Sequence, residues 1–251
     1  MDYAFIESKI LNVFIECHIT SFPIHCFQLL ELYGFKLYSY TEVKKRAPEL
    51  YILCSQCSDD AFIDKNTGTV IYNNTLTAGR IRFSLMHELG HHVLGHIGEE
   101  ADLETEANYF ASHLLAPRMA IHYAGCKNFK DVARCFDLTY EASAYAFDDY
   151  RRWRRNIASR RNKITENEKK LYDHFYSHET DCFVWKRHIC EICQEPFFNQ
   201  LGSYCDTCQN AKERMQAYDQ IILNRLRFKD ENALSSSFLS AEYLKTYGHD
   251  L

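Results

Sequence analysis

The chain has 251 residues, 46% of them apolar and 25% charged, and a net charge of −5. That balance reads as a soluble globular protein with room for one sizeable domain and a smaller one, and the negative charge gives no general reason to expect nucleic-acid binding. No stretch approaches about 18 uninterrupted apolar residues, so no membrane span is expected. MDYAFIESKI lacks the basic start and apolar run of a signal peptide.

In chain order, residues 5 to 34 read as two helices with Pro23 between them and Gly34 as a stop. Four strands follow by alternation, at 35–40, 50–55, 61–64 and 69–73, and suggest a short meander. Helices are expected at 82–96 and 100–115, with Pro117 just past the second. Two more lie within 128–155, joined by Asp137-Leu138-Thr139. The stretch 151–163 holds seven basic residues and no acid, and reads as a linker or an exposed helix end. Thr165 and Glu168 fit a capping box for a helix over 166–178. A last helix, 210–227, precedes a polar tail.

The chemistry concentrates in 81-IRFSLMHELGHHVLGHIG-98. His87 and His91 are four apart, which on a helix stacks both imidazoles on one face. With Glu88 they make H-E-x-x-H, the zincin arrangement, in which two histidines hold Zn2+ and the glutamate takes a proton from water. Gly90 and Gly95 are poor helix formers, and their presence suggests a close backbone approach or a tight site. The metzincin pattern would need glycine at 94 and histidine at 97, where this chain has Leu94 and Ile97. The third ligand must come from elsewhere. On 101-ADLETEANYFASHLLAP-117, Glu104 and Glu106 flank the apolar face on opposite sides, and periodicity does not choose between them. His92 reads as a surface residue or one behind the ligands, His96 as structural, and His113 as a packing residue.

RIRFSLMHELGHHVLGH followed by ETEANYFASHLLAP resembles the ImmA/IrrE family of metallopeptidases. The likeness runs over roughly residues 25 to 155 and departs at Ser84, where the family often has threonine, and at Met86, often alanine. It implies an α+β, zincin-like minimal metallopeptidase domain with a small sheet. It also implies that Glu106, directly before Ala107-Asn108, is the third zinc ligand. The implied substrate is another protein, commonly a helix-turn-helix repressor or antitoxin-like regulator of a mobile element. Residues 131–153 resemble the helix-turn-helix-like element of this family. Their acids, Asp131, Asp137, Glu141, Asp148 and Asp149, disfavour phosphate contact and favour packing or substrate docking.

Eleven cysteines, an odd number, with no signal peptide suggest a reducing cytosol rather than a disulfide framework. Cys190-x-x-Cys193 and Cys205-x-x-Cys208, with 11 residues between the pairs, fit a structural zinc ribbon with all four positions taken. Cys54 and Cys57 have no second pair nearby and read as ordinary thiols. The expected organisation is a peptidase domain over 1–155, a basic linker and helix over 156–185, the cysteine module over 186–212, and a helix and tail over 213–251. Two zinc ions are expected, one catalytic and one structural. The rival reading is a zinc-stabilised DNA- or protein-binding module, the basic linker and ribbon offering nucleic-acid contact. Glu88 speaks against it, because a scaffold has no use for a base beside the metal.

Overall fold

The computed structural model describes residues 2–98, 100–159 and 163–225. Contacts divide the chain into two units, Met1–Arg187 with Phe198–Leu201, and His188–Phe197 with Gly202–Leu251.

The first unit opens with α1 (Tyr3–Glu16), capped by Asp2, whose side chain accepts from the Phe5 N–H. Ile6, Ile10, Val13 and Phe14 recur at helical spacing and are buried. α2 (Cys26–Leu32) ends before Gly34, whose φ of +83° is open to glycine at no cost. β1 (Lys36–Ser39) leads into α3 (Tyr40–Arg46) through a capping box between Ser39 and Glu42. α4 (Pro48–Cys57) follows, then β2 (Ala61–Asp64) and β3 (Thr69–Tyr72).

The strand expected at 50–55 is therefore helical. Its apolar run has no decisive period, and the local signals win: Pro48 sits in the first turn, where its missing N–H costs nothing, and Glu49 favours the helix N-terminus. The sheet is not a meander either. Its order is β1-β3-β2, with β1 parallel to β3 and β2 antiparallel to β3. The helical pair α3–α4 occupies the crossover that a parallel pair needs.

α5 (Ala78–Val93) and α6 (Ala101–Leu115) pack as the central pair. Leu85, Met86 and Leu89 of α5 meet Phe110, Ala111, Leu114 and Leu115 of α6 in one fully buried cluster with Phe14, Phe22 and Leu30. α7 (Arg118–Tyr123), α8 (Phe129–Phe136) and α9 (Tyr140–Ala158) follow, with Asp137-Leu138-Thr139 between the last two as expected. α9 carries the basic stretch as far as Ala158, so residues 151–158 are an exposed helix end; residues 160–162 lie outside those described. α10 (Glu166–Phe175) has the expected Thr165–Glu168 capping box. Short strands complete this part of the chain: β4 (Tyr176–Ser177) pairs with β5 (Cys182–Phe183), and β6 (Arg187–Ile189) with β7 (Pro196–Phe198).

In the second unit a helix over 206–225 starts just after Cys205 and carries Cys208 in its first turn. The expected helix to 227 and the polar tail run into residues outside those described. Among the described residues, no helix is long and apolar enough to cross a membrane.

Candidate metal centre

Helical geometry alone sets His87 and His91 of α5 side by side, and the structure turns both Nε2 atoms toward one point, 3.0 Å apart. Glu104 of α6 completes the cluster: its carboxylate oxygens lie 3.2 Å from His87 Nε2 and 3.2 Å from His91 Nε2. These three side chains offer ligand atoms within 4.8 Å of one another. Zinc–nitrogen bonds of about 2.0–2.1 Å at a tetrahedral angle separate two ligand nitrogens by about 3.3 Å. The donor set therefore fits a tetrahedral ion with one position left open.

Gly90 is what lets α6 come this close. A Cβ there would stand 3.0 Å from Phe110 Cδ1 and 3.3 Å from the Ala107 Cα and carbonyl oxygen. Close packing brings Glu104 and Asn108, four residues apart on α6, along one row facing the histidines. Asn108 Oδ1 lies 3.0 Å from His87 Nδ1. A metal on Nε2 would leave the proton on Nδ1, where it would donate to Asn108 and so fix the tautomer.

Glu106, the third ligand implied by the resemblance, is not part of this cluster. Two residues on from Glu104, it points to another side of α6, where its Oε2 lies 3.2 Å from His96 Nε2. His96 Nδ1 in turn lies 3.1 Å from His91 Nδ1. The only consistent protonation runs in one direction: His91 Nδ1–H donates to His96, and His96 Nε2–H donates to Glu106. Glu106 thus stands behind His91, through a buried histidine, rather than in the cluster.

His96 stands outside the His87–His91–Glu104 cluster and holds His91 from behind. Gly95 makes this geometry available. With φ +72° it follows the last helical turn; the Gly95 N–H donates to His92 O and the His96 N–H to His91 O at 3.0 Å. This Schellman turn folds His96 back over His91. The signal was present in the sequence as a glycine where the helix had to end. His92 packs edge-on against Phe35, with 4.9 Å between ring centroids. His113 lies 3.1 Å from Asp149 Oδ2 and stacks on Tyr109.

Glu88 lies on the cleft side. Its Oε2 accepts from the Ile63 N–H of β2 at 3.1 Å. Burial drives its carboxyl up to about 7, against the pull of the Ile63 N–H, with the Glu104 charge adding to the rise. His91 is held down to about 4, chiefly by burial and then by His87, so it is neutral and free to ligate. The cleft encloses about 1030 Å³ between β2, α5 and the start of α6.

In the second unit Cys190, Cys193, Cys205 and Cys208 form the other cluster, again with sulfurs within 4.8 Å of one another. Cys193 and Cys205 sulfurs are 3.8 Å apart, the spacing that zinc–sulfur bonds of about 2.3 Å give at a tetrahedral angle. The Cys193 N–H, with those of Cys205 and Ile192, holds the Cys190 thiol down to about 6 and so favours the thiolate. His188 stacks on Phe197 beside the cluster, at 5.1 Å between centroids. Cys17, Cys26, Cys54, Cys126, Cys135 and Cys182 are in no disulfide among the described residues and are buried or partly buried.

Residues 55–148 match the family model described as the IrrE N-terminal-like domain, Peptidase_M78. The match spans β2, β3 and α5 through α8, and so contains the whole histidine–glutamate cluster. A metallopeptidase family of this kind implies a metal, typically zinc. No curated protein matches the chain.

Proposed function

We propose that this chain, with its IrrE N-terminal-like segment, is a zinc-dependent endopeptidase in which His87, His91 and Glu104 hold the catalytic ion. One observation carries the reading: Glu88, a part-buried carboxylate, lines the same cleft as three converging ligand side chains, with a fourth position open to it. When bound, zinc supplies a Lewis acid that acidifies water and polarises a carbonyl. Glu88 then acts as the base. The Ile63 N–H holds one of its oxygens, and the other is left to take the water proton and hand it to the departing amine. Asn108 and the His96–Glu106 pair hold the two imidazoles in the tautomer that ligates. The four cysteines hold a second, structural zinc with no vacant position.

The substrate proposed is another protein of the cytoplasm, a helix-turn-helix repressor or antitoxin-like regulator. This follows from the resemblance to the ImmA/IrrE peptidases, in which proteolysis relieves repression.

Elemental analysis tests the assignment directly. Two zinc ions per chain should fall to one in His87→Ala, while Glu88→Gln keeps two and loses peptide hydrolysis. Hydrolysis undiminished in Glu88→Gln would refute the peptidase reading.

A further inference from the structure

Beside the metal cleft lies a second hollow of about 360 Å³ that the ligand set does not use. Arg80, Phe83 and Asn108 line both spaces, so the hollow adjoins the cleft. It begins on the His87 side: the Phe83 ring is 6.5 Å from the His87 ring, and Asn108 holds His87 Nδ1. Its far walls are Leu115, Leu138, Ala142 and Tyr145. The charged groups at its edge are turned to other work or to solvent. Arg80 is paired with Asp60 at 2.5 Å, and Glu141 is exposed.

The floor is held in place. A Cβ on Gly79 would stand 2.8 Å from Thr139 N and 3.0 Å from the Leu138 carbonyl carbon, so only glycine lets the α8–α9 turn sit against α5. Arg82 fastens the same turn, donating to Asp137 O at 3.1 Å, Phe136 O at 3.3 Å and, from its other nitrogen, Ile24 O at 2.7 Å. A pre-formed apolar hollow that adjoins a reactive centre selects by shape and burial.

We infer that this hollow is the specificity pocket of the peptidase and takes one large aliphatic or aromatic side chain of the substrate, from a residue adjoining the scissile bond. The occupant follows from continuity with the cleft and the apolar walls, and the hollow has ample room for one large side chain. The inference rests on the peptidase reading and gives the helix-turn-helix-like element a role in substrate choice.

The test uses the zinc-loaded full chain and two peptide hydroxamates, identical except that one carries an isobutyl group next to the metal-binding head and the other a hydrogen. Calorimetry should show the isobutyl compound binding about ten- to hundredfold tighter. Ala142→Phe, which fills the hollow, should cut that preference to below about threefold while leaving the hydrogen compound's affinity unchanged. Tyr145→Ala removes an exposed wall residue without threatening the core, and should also narrow the preference. Equal binding of the two compounds to the wild type overturns the pocket inference and leaves the peptidase reading standing. So does a preference that survives both variants. Failure of both compounds to bind the zinc-loaded chain refutes the metal site itself, and the pocket with it.

Discussion

Exchanging Glu104 and Glu106 for alanine, one at a time, decides which carboxylate completes the ion. Glu104 oxygens stand 3.2 Å from both ligating nitrogens, whereas Glu106 reaches them only through His96. Four-ligand structural zinc sites bind with about 10–16 kcal/mol, or about 3–4 kcal/mol per ligand, so Glu104→Ala should weaken zinc by about 10²–10³-fold. Glu106→Ala removes an outer partner and should cost about 10–100-fold. Zinc affinity is read by titration against a competing chelator. The cobalt(II)-substituted protein gives an independent reading: its visible spectrum reports coordination number, so it should change shape in Glu104→Ala and keep its shape in Glu106→Ala. A greater loss of zinc in Glu106→Ala, together with an altered spectrum there and an unaltered one in Glu104→Ala, would refute the assignment and restore Glu106 as the ligand.

Two further outcomes test the frame around the site. Gly90→Ala gains helix propensity of about 1 kcal/mol but forces Phe110 and the α6 backbone outward, so a net destabilisation of about 1–3 kcal/mol is expected in urea unfolding; an equal or higher midpoint would show that the close approach is not needed. Asp149 is raised by burial, but the hydrogen bonds from His113 and Arg118, with the Arg118 charge, outweigh this and hold it well below the ordinary carboxylate range. A carboxylate depressed in the folded state stabilises fully above its unfolded value of about 3.9, and that contribution is lost as pH falls toward the folded value. Asp149→Asn should therefore cost about 3 kcal/mol near pH 7, with a gap to wild type that shrinks below about pH 4. A gap independent of pH would rule out this linkage.

What the sequence disclosed follows the range of each signal. His87, Glu88 and His91 were legible because their geometry is set within one helical turn, and the four cysteines because their spacing is local. Which of Glu104 and Glu106 faces the histidines depends on how α6 rolls against α5, a packing that Gly90 and Phe110 set across some 20 residues of chain; no period within α6 contains it. The i, i+4 row of Glu104 and Asn108 was available as a hint. The misread strand at 50–55 shows the same limit: Leu50, Ile52 and Leu53 are exposed on α4, so their apolar character reports no buried face. The Ser39–Glu42 capping box was a readable sign of α3 that alternation in the preceding strand concealed. The parallel β1–β3 pairing skips a strand, and adjacency in sequence cannot reveal it.

The Schellman turn at Gly95 imposes a rule of length as well as of identity. His96 meets His91 because five positions and one left-handed residue carry the chain back by a fixed angle. One residue more or fewer between them would swing the imidazole by about 100° if the helix continued. His91 and Glu106 would then both remain in the chain, yet no longer be joined. In variants of this segment, a single-codon insertion or deletion after His91 is therefore a harsher lesion than most substitutions within it.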